Sequence, residues 1–178
     1  MARILIVYGT VEGHTADVVA ALAAGLARCG HQPTAVRVDE APEDLDAYDT
    51  LVVGSSVHVG KHHKGVLTWI GEHRAQLEAR PSAFFEVCLT AASPEGGPAQ
   101  AKAYVEQLTA ETEWQPDLVG IFGGALLYTR YGFIKRRMMR SIAEQGGLAT
   151  DTSRDVDYTD YDAVRQFAED VGSLAIPV

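Results

Sequence analysis

The feature that most constrains this chain is an alternation that runs from end to end. Short, continuously apolar runs are each followed by a stretch with helical periodicity. Ile4-Leu5-Ile6-Val7-Tyr8, ending in Gly9, reads as a strand covered on both faces. Val18, Leu22 and Leu26 then recur at four-residue spacing, in a helix opened by Thr15 and closed by Gly30. Ala35 to Val38 predicts a second strand, Pro42 to Tyr48 a short acidic helical turn, and Leu51 to Gly54 a third strand. A helix over 65–79 turns Val66, Trp69, Ile70 and Leu77 to the core, and Pro81 stops it. Ala83 to Leu89 is the fourth strand, 98–114 a helix, and Leu118 to Phe122 the fifth strand, ending at Gly123-Gly124. The last helix, about 160–174, buries Val164, Phe167, Ala168 and Val171. This pattern implies an α/β fold, a five-stranded parallel sheet with right-handed crossovers and helices on both faces. No repeat or linker divides residues 1–178, which read as a single domain. About 35 residues, Ala125 to Thr159, exceed the minimal plan and form an insertion after strand five, with a helical segment at Gly132 to Gln145.

Hydrophobic residues make up 47% of the 178, enough for a substantial core. The formal net charge of −9 is spread along the chain and argues against nucleic acid, which needs a basic face. The two cysteines, Cys29 and Cys88, have no metal or disulfide spacing, so a reducing cytoplasmic setting is expected. Cys88 reads as a small core residue. No apolar run approaches the ~20 residues that span a bilayer. His62-His63 beside Lys61 lacks any completing ligand set, so no metal is expected. His31 and His73 read as surface histidines.

In an open parallel sheet, ligands bind beyond the carboxyl ends of the strands at the switch point in strand order. Four loops deserve inspection there. The first is Gly9-Thr10-Val11-Glu12-Gly13-His14-Thr15, where helix-start amides, two hydroxyls and a His ring N–H suit an anion. The GxxxxGK[ST] and GxGxxG patterns are both missing, so neither a P-loop nor a dinucleotide site is expected. A flavin monophosphate held by amides and hydroxyls fits, although an ordinary helix capped by Thr15 has the same spacing. The others are Gly54-Ser55-Ser56-Val57-His58-Val59-Gly60, Thr90-Ala91-Ala92-Ser93-Pro94, and Gly123 to Tyr128. Their small residues would let a flat ligand approach the backbone.

T-x-x-G-x-T after the first strand resembles the flavodoxin phosphate loop, and G-S-S-V-H-V-G resembles that family's second flavin loop. P-S-A-F-F at 81–85, G-A-L-L-Y-T-R-Y at 124–131 and T-D-T-S-R-D-V-D-Y-T-D-Y at 150–161 resemble one branch, the flavodoxin-like, menaquinone-dependent protoporphyrinogen oxidases of haem synthesis. The resemblance implies a flavodoxin-like three-layer sandwich with non-covalent FMN. It implies a porphyrinogen as hydride donor and a membrane quinone as electron acceptor. Phosphate contacts carry over to Thr10, Gly13, His14 and Thr15, with Val11 and Glu12 in the same loop. Ring contacts carry over to Ser55, Ser56, Val57, His58, Val59 and Gly60, and to Thr90, Ala91 and Ala92 on the other side. Glu12 departs from the usual hydroxyl residue, and its side chain is expected to turn away from the phosphate. Neither flavin loop holds a stacking Trp or Tyr, so a less enclosed ring is expected unless Tyr128 stacks on it.

Arg130, Lys135, Arg136, Arg137 and Arg140 are five of the fifteen basic residues, interleaved with Phe133, Ile134, Met138, Met139 and Ile142. Three readings stay open. The apolar stripe packs on the sheet beneath a solvated basic face; or the helix docks on an anionic membrane surface; or the cations hold a substrate's carboxylates. Peripheral contact with the inner face of the cell membrane and a homodimer through the insertion stay open as well. No catalytic acid or base is assignable. The functional alternatives are a flavodoxin that only transfers electrons and a non-catalytic binding module.

Overall fold

A computed structural model of the chain describes residues 1–175. Five parallel strands form its centre: β1 (Arg3–Gly9), β2 (Gln32–Arg37), β3 (Thr50–His58), β5 (Ser82–Cys88) and β6 (Leu118–Gly123). Their order is β2-β1-β3-β5-β6, in register from Ile4↔Thr50 to Cys88↔Gly123. The order reverses beside β1, which puts the switch point between β1 and β3.

Side chains alternate across each strand, so one run feeds two cores. Ile4 and Ile6 join Val52, Phe85 and the helices α1 (His14–Arg28) and α5 (Tyr161–Leu174). Leu5 and Val7 join Val53, Phe84 and the helices α2 (Lys64–Glu78) and α3 (Gly97–Thr112). Trp114, just after α3, is fully buried there and donates its indole N–H to Ser82 Oγ at 3.3 Å. Asp160 caps α5 by accepting from the amides of Asp162 and Ala163.

Three short strands add to the five expected. β4 (Lys61–His62) pairs antiparallel with the end of β3, while β7 (Ala125–Leu126) and β8 (Val156–Asp157) form a separate two-stranded ribbon. The insertion also holds α4 (Phe133–Gln145) and has a small core of its own: Leu126, Leu127, Tyr128, Tyr131, Met139 and Ala143.

Several expectations need correction. No helix forms over 42–48; a 3₁₀ turn at Val38–Glu40 precedes an irregular segment. That segment is held by Arg80, which donates to the carbonyls of Leu45 (2.6 Å) and Tyr48 (3.1 Å). The second strand begins at Gln32, earlier than its apolar part, because an edge strand tolerates exposed polar positions. His31 is buried, its Nδ1 accepting from the Ala2 amide, and His73 stacks on Trp69 at 4.4 Å.

Candidate functional site

A cavity of about 250 Å³ opens at the carboxyl edge of the sheet, at the switch point. Its floor is the β1–α1 loop. Gly13 adopts φ 93°, a left-handed conformation that lets the chain enter α1 sharply. Thr10 Oγ1 accepts the Gly13 amide at 2.9 Å and fixes the loop. No side chain caps α1, so its first-turn amides are left for an anion, flanked by the buried hydroxyls of Thr10 and Thr15.

The second wall is a hairpin rather than the expected strand-to-helix loop. β3 runs on to His58 and turns at Val59-Gly60 into β4. Both turn residues have positive φ, 50° and 71°, which is how a two-residue turn matches strand twist. Ser56, Val57, His58, Val59 and Gly60 line the cavity. Ser55 lies behind it, with Oγ accepting from the His63 amide and donating to the Ser56 carbonyl. Ser56 Oγ is buried without a protein partner, which leaves a polar group for a ligand. Gly54 serves packing rather than ligand approach, since a Cβ there would lie 2.2 Å from Phe85 Cζ.

Thr90 lines the third side, while Ala91 and Ala92 lie in the same 3₁₀ turn (Leu89–Ala92) but off the cavity. Val87, Leu89, Gly124 and Ala125 complete that side. The fourth wall is α4, through Met138, Met139 and Ile142. Among the described residues no Trp, Tyr or Phe lines the cavity. Tyr128 is fully buried in the insertion core, donating to the Ala149 carbonyl at 2.8 Å.

The charged residues fall into separate groups. The Glu12 side chain turns towards the insertion. Its Oε2 accepts from Tyr131 OH at 2.7 Å, and its Oε1 lies 2.6 Å from Lys135 Nζ. Burial, and then this bond to Glu12, push the Tyr131 hydroxyl well above its ordinary range, so it stays a donor. The anion near the phosphate loop is thereby neutralised. The His14 ring is turned to Thr159 (2.8 Å), Asp157 (3.2 Å) and Asp17 (3.4 Å), so this residue offers the phosphate loop its backbone. Tyr161 donates to Asp157, and burial together with that bond pushes its hydroxyl up to about 12.

Arg136 donates to the carbonyls of Tyr128 and Tyr131, both at 3.0 Å, and stitches the insertion turn. Arg130, Arg137 and Arg140 are exposed, and none of the five basic residues lines the cavity. Beneath the hairpin, fully buried Glu86 meets His62 Nε2 at 2.9 Å, while His63 packs its ring against Gly9. Burial pushes the Glu86 carboxyl up, against the pull of His62.

Gly124 and Ala125 belong to the fourth loop that the sequence pointed to, whereas the α4 wall is absent from the sequence-derived site. The interleaved apolar residues of 133–142 were a signal, but they gave no direction.

The fold and loops define a flavodoxin-like flavoprotein. A family model described as a flavodoxin domain matches residues 5–153, and the chain belongs to that family. FMN is the cofactor of such a domain, and the uncapped helix start, buried hydroxyls and unpartnered Ser56 Oγ fit it. A relative from Leishmania major named protoporphyrinogen IX dehydrogenase [quinone] is 34% identical, covering 99% of this chain and 77% of its own. One of the same name from Escherichia coli K12 is 32% identical, covering 97% and 96%. Among solved structures, a short-chain flavodoxin associated with a bacterial microcompartment has a TM-score of 0.62 at 12% identity, covering 99% of this chain and all of its own. Oxidised flavodoxin 1 from Bacillus cereus has a TM-score of 0.57 at 14% identity, covering 96% and 97%. The chain is a flavodoxin-like oxidoreductase.

Proposed function

We propose that this protein oxidises protoporphyrinogen IX to protoporphyrin IX with FMN and a quinone acceptor, as a step of haem synthesis. The observation that carries the reading is the full-length likeness to dehydrogenases of that name, insertion included, joined to the insertion's place as a cavity wall. Bound FMN would supply the hydride acceptor and the two-electron relay that a quinone acceptor requires. The chain's part is to bind and orient. Thr10, Thr15 and the first amides of α1 hold the phosphate, and the hairpin and Thr90 flank the ring.

With a flavin ring in the cavity, the side left for a tetrapyrrole is the open mouth. The macrocycle therefore lies across the mouth, against Val59, Met138 and Ile142, with Arg137 and Arg140 as partners for its propionates. The lack of an aromatic lid leaves that face of the ring open. This favours substrate turnover over simple electron transfer.

The outer face of α4 supports a second element of the reading. Phe133 is 79% exposed and Ile134 84%, alongside Met138, Ile142, Arg137 and Arg140. An apolar stripe with a basic margin, on a protein of net charge −9, suits shallow docking on an anionic lipid surface. No helix among the described residues is long and apolar enough to cross a membrane. Docking there would bring the cavity mouth to a lipid-dissolved quinone. Binding to anionic vesicles is expected to fall sharply in Arg137→Glu/Arg140→Glu. Unchanged binding removes the docking element, and a dimer without lipid assigns the face to a second copy.

The experiment for the activity is anaerobic. FMN-reconstituted protein is mixed with protoporphyrinogen IX and a menaquinone analogue, and protoporphyrin fluorescence is followed. Quinone-dependent production above the protein-free rate is expected. FMN binding without turnover overturns the reading in favour of an electron carrier.

A further inference from the structure

Oxidation of a porphyrinogen separates two hydrogens by fate. A methylene C–H leaves as hydride, for which FMN would be the acceptor. A pyrrole N–H leaves as a proton, and the two-electron step balances only if something accepts it. This argument rests on the substrate reading above.

Three titratable side chains line the cavity among the described residues: Glu12, His14 and His58. Glu12 is committed, one oxygen to the Tyr131 hydroxyl and the other to Lys135. His14 is committed too, its Nε2 to Thr159 and Asp157 and its Nδ1 to Asp17. His58 is different. Its side chain is 38% exposed at the mouth, and its Nδ1 lies 3.8 Å from Glu12 Oε1. Among the described residues its Nε2 has no protein partner.

We infer that His58 Nε2 accepts the pyrrole proton, and that Glu12 is the positioning residue that orients the ring. A carboxylate oxygen 3.8 Å from Nδ1, too far for a hydrogen bond, still favours by its charge the tautomer with the proton on Nδ1 and the lone pair on Nε2. That leaves the basic nitrogen as the one without a protein partner among the described residues. Lys135 on α4 pairs with the same carboxylate, Lys61 is the cross-strand neighbour of His58, and Tyr104 of α3 approaches Gly60 at the turn. The tie from Glu12 to Tyr131 and Lys135 gives the insertion a reason to reach the phosphate loop: it fixes the carboxylate that aims the ring. Imidazole also exchanges its proton in the physiological range, as a base that must release it again requires.

The test uses the FMN-bound protein. At saturating FMN, His58→Asn is expected to lose about 10²–10⁴-fold in rate and to recover part of it with added imidazole. The acid limb of the wild-type pH–rate profile is expected to vanish in His58→Asn. Nitrogen NMR of the FMN-bound protein, which needs no turnover, is expected to show the Nδ1–H tautomer of His58. The Nε2–H tautomer, or a His58→Asn variant with wild-type rate and profile, overturns the assignment while leaving the substrate reading intact. A wild-type protein that binds FMN but does not turn over removes both.

Discussion

Val59→Asn is expected to stabilise the protein, because Val59 holds a conformation that its side chain opposes. Its φ is 50°, and a β-branched residue in the left-handed region is held there at a cost of about 1–2 kcal/mol. Little burial offsets this. The residue is 79% exposed, so about a fifth of it is covered. Full burial of Val is worth about 1.5–3 kcal/mol, so the covered fifth is worth about 0.3–0.6. Asn tolerates the left-handed region, and Asn-Gly is the preferred pair for a turn with two positive φ values. The net gain is therefore about 1 kcal/mol, or roughly 2–4 °C for a chain of this length. Val59→Gly relieves the same strain but adds about 0.5–1 kcal/mol of unfolded-state entropy, so it is expected to fall near wild type. Urea and thermal unfolding of the FMN-free variants measure both. An Asn variant no more stable than wild type, or a Gly variant more stable than the Asn one, refutes the strain argument. The strain sits where the hairpin closes one cavity wall, so Val59→Asn is also expected to bind FMN more weakly, as fluorescence titration would show.

Burial raises the Glu86 carboxyl above its ordinary value of 4.5, so the folded state is penalised as pH rises past that value and the unfolded state ionises. The stability of Glu86→Gln relative to wild type is expected to increase from pH 4.5 towards 8 in urea titrations, and a pH-independent difference would show that Glu86 carries no such burden. Gly54→Ala places a methyl 2.2 Å from the ring of fully buried Phe85 and is expected to cost about 1–3 kcal/mol by the same assay. Tyr131→Phe removes the partner of Glu12 Oε2 and leaves the buried Leu127 amide without its acceptor, a loss of about 1–3 kcal/mol, together with greater protease sensitivity of the insertion. Asp160→Ala uncaps α5 and is expected to cost about 1 kcal/mol, read as a lower denaturation midpoint at unchanged slope.

The alternation of buried runs and amphipathic stretches determined the five parallel strands and the helices between them. A strand covered on both faces has no other pattern to show, and each helix needs one apolar stripe. Length, charge and the two isolated cysteines set the class. The loops after β1, β3 and β5 were legible because small residues at strand ends are local features. The 42–48 segment misled because its shape comes from Arg80, thirty or more residues away, and no local pattern reports that contact. His31 misled in the same way: its partner, the Ala2 amide, belongs to a distant strand end.

Tertiary structure alone decided which way the insertion faces. Its apolar and basic residues fit three arrangements on paper. In the folded chain Met139 and Ala143 enter the insertion core, Met138 and Ile142 border the cavity, and Phe133 and Ile134 stay in solvent. The same holds for Glu12, whose charge looked unfavourable beside a phosphate until Tyr131 and Lys135 arrived from more than a hundred residues later. Sequence fixes what each segment would bury. Pairings between distant segments depend on how their backbones are brought together, and that is where the neutralised carboxylate and the free imidazole of His58 arise.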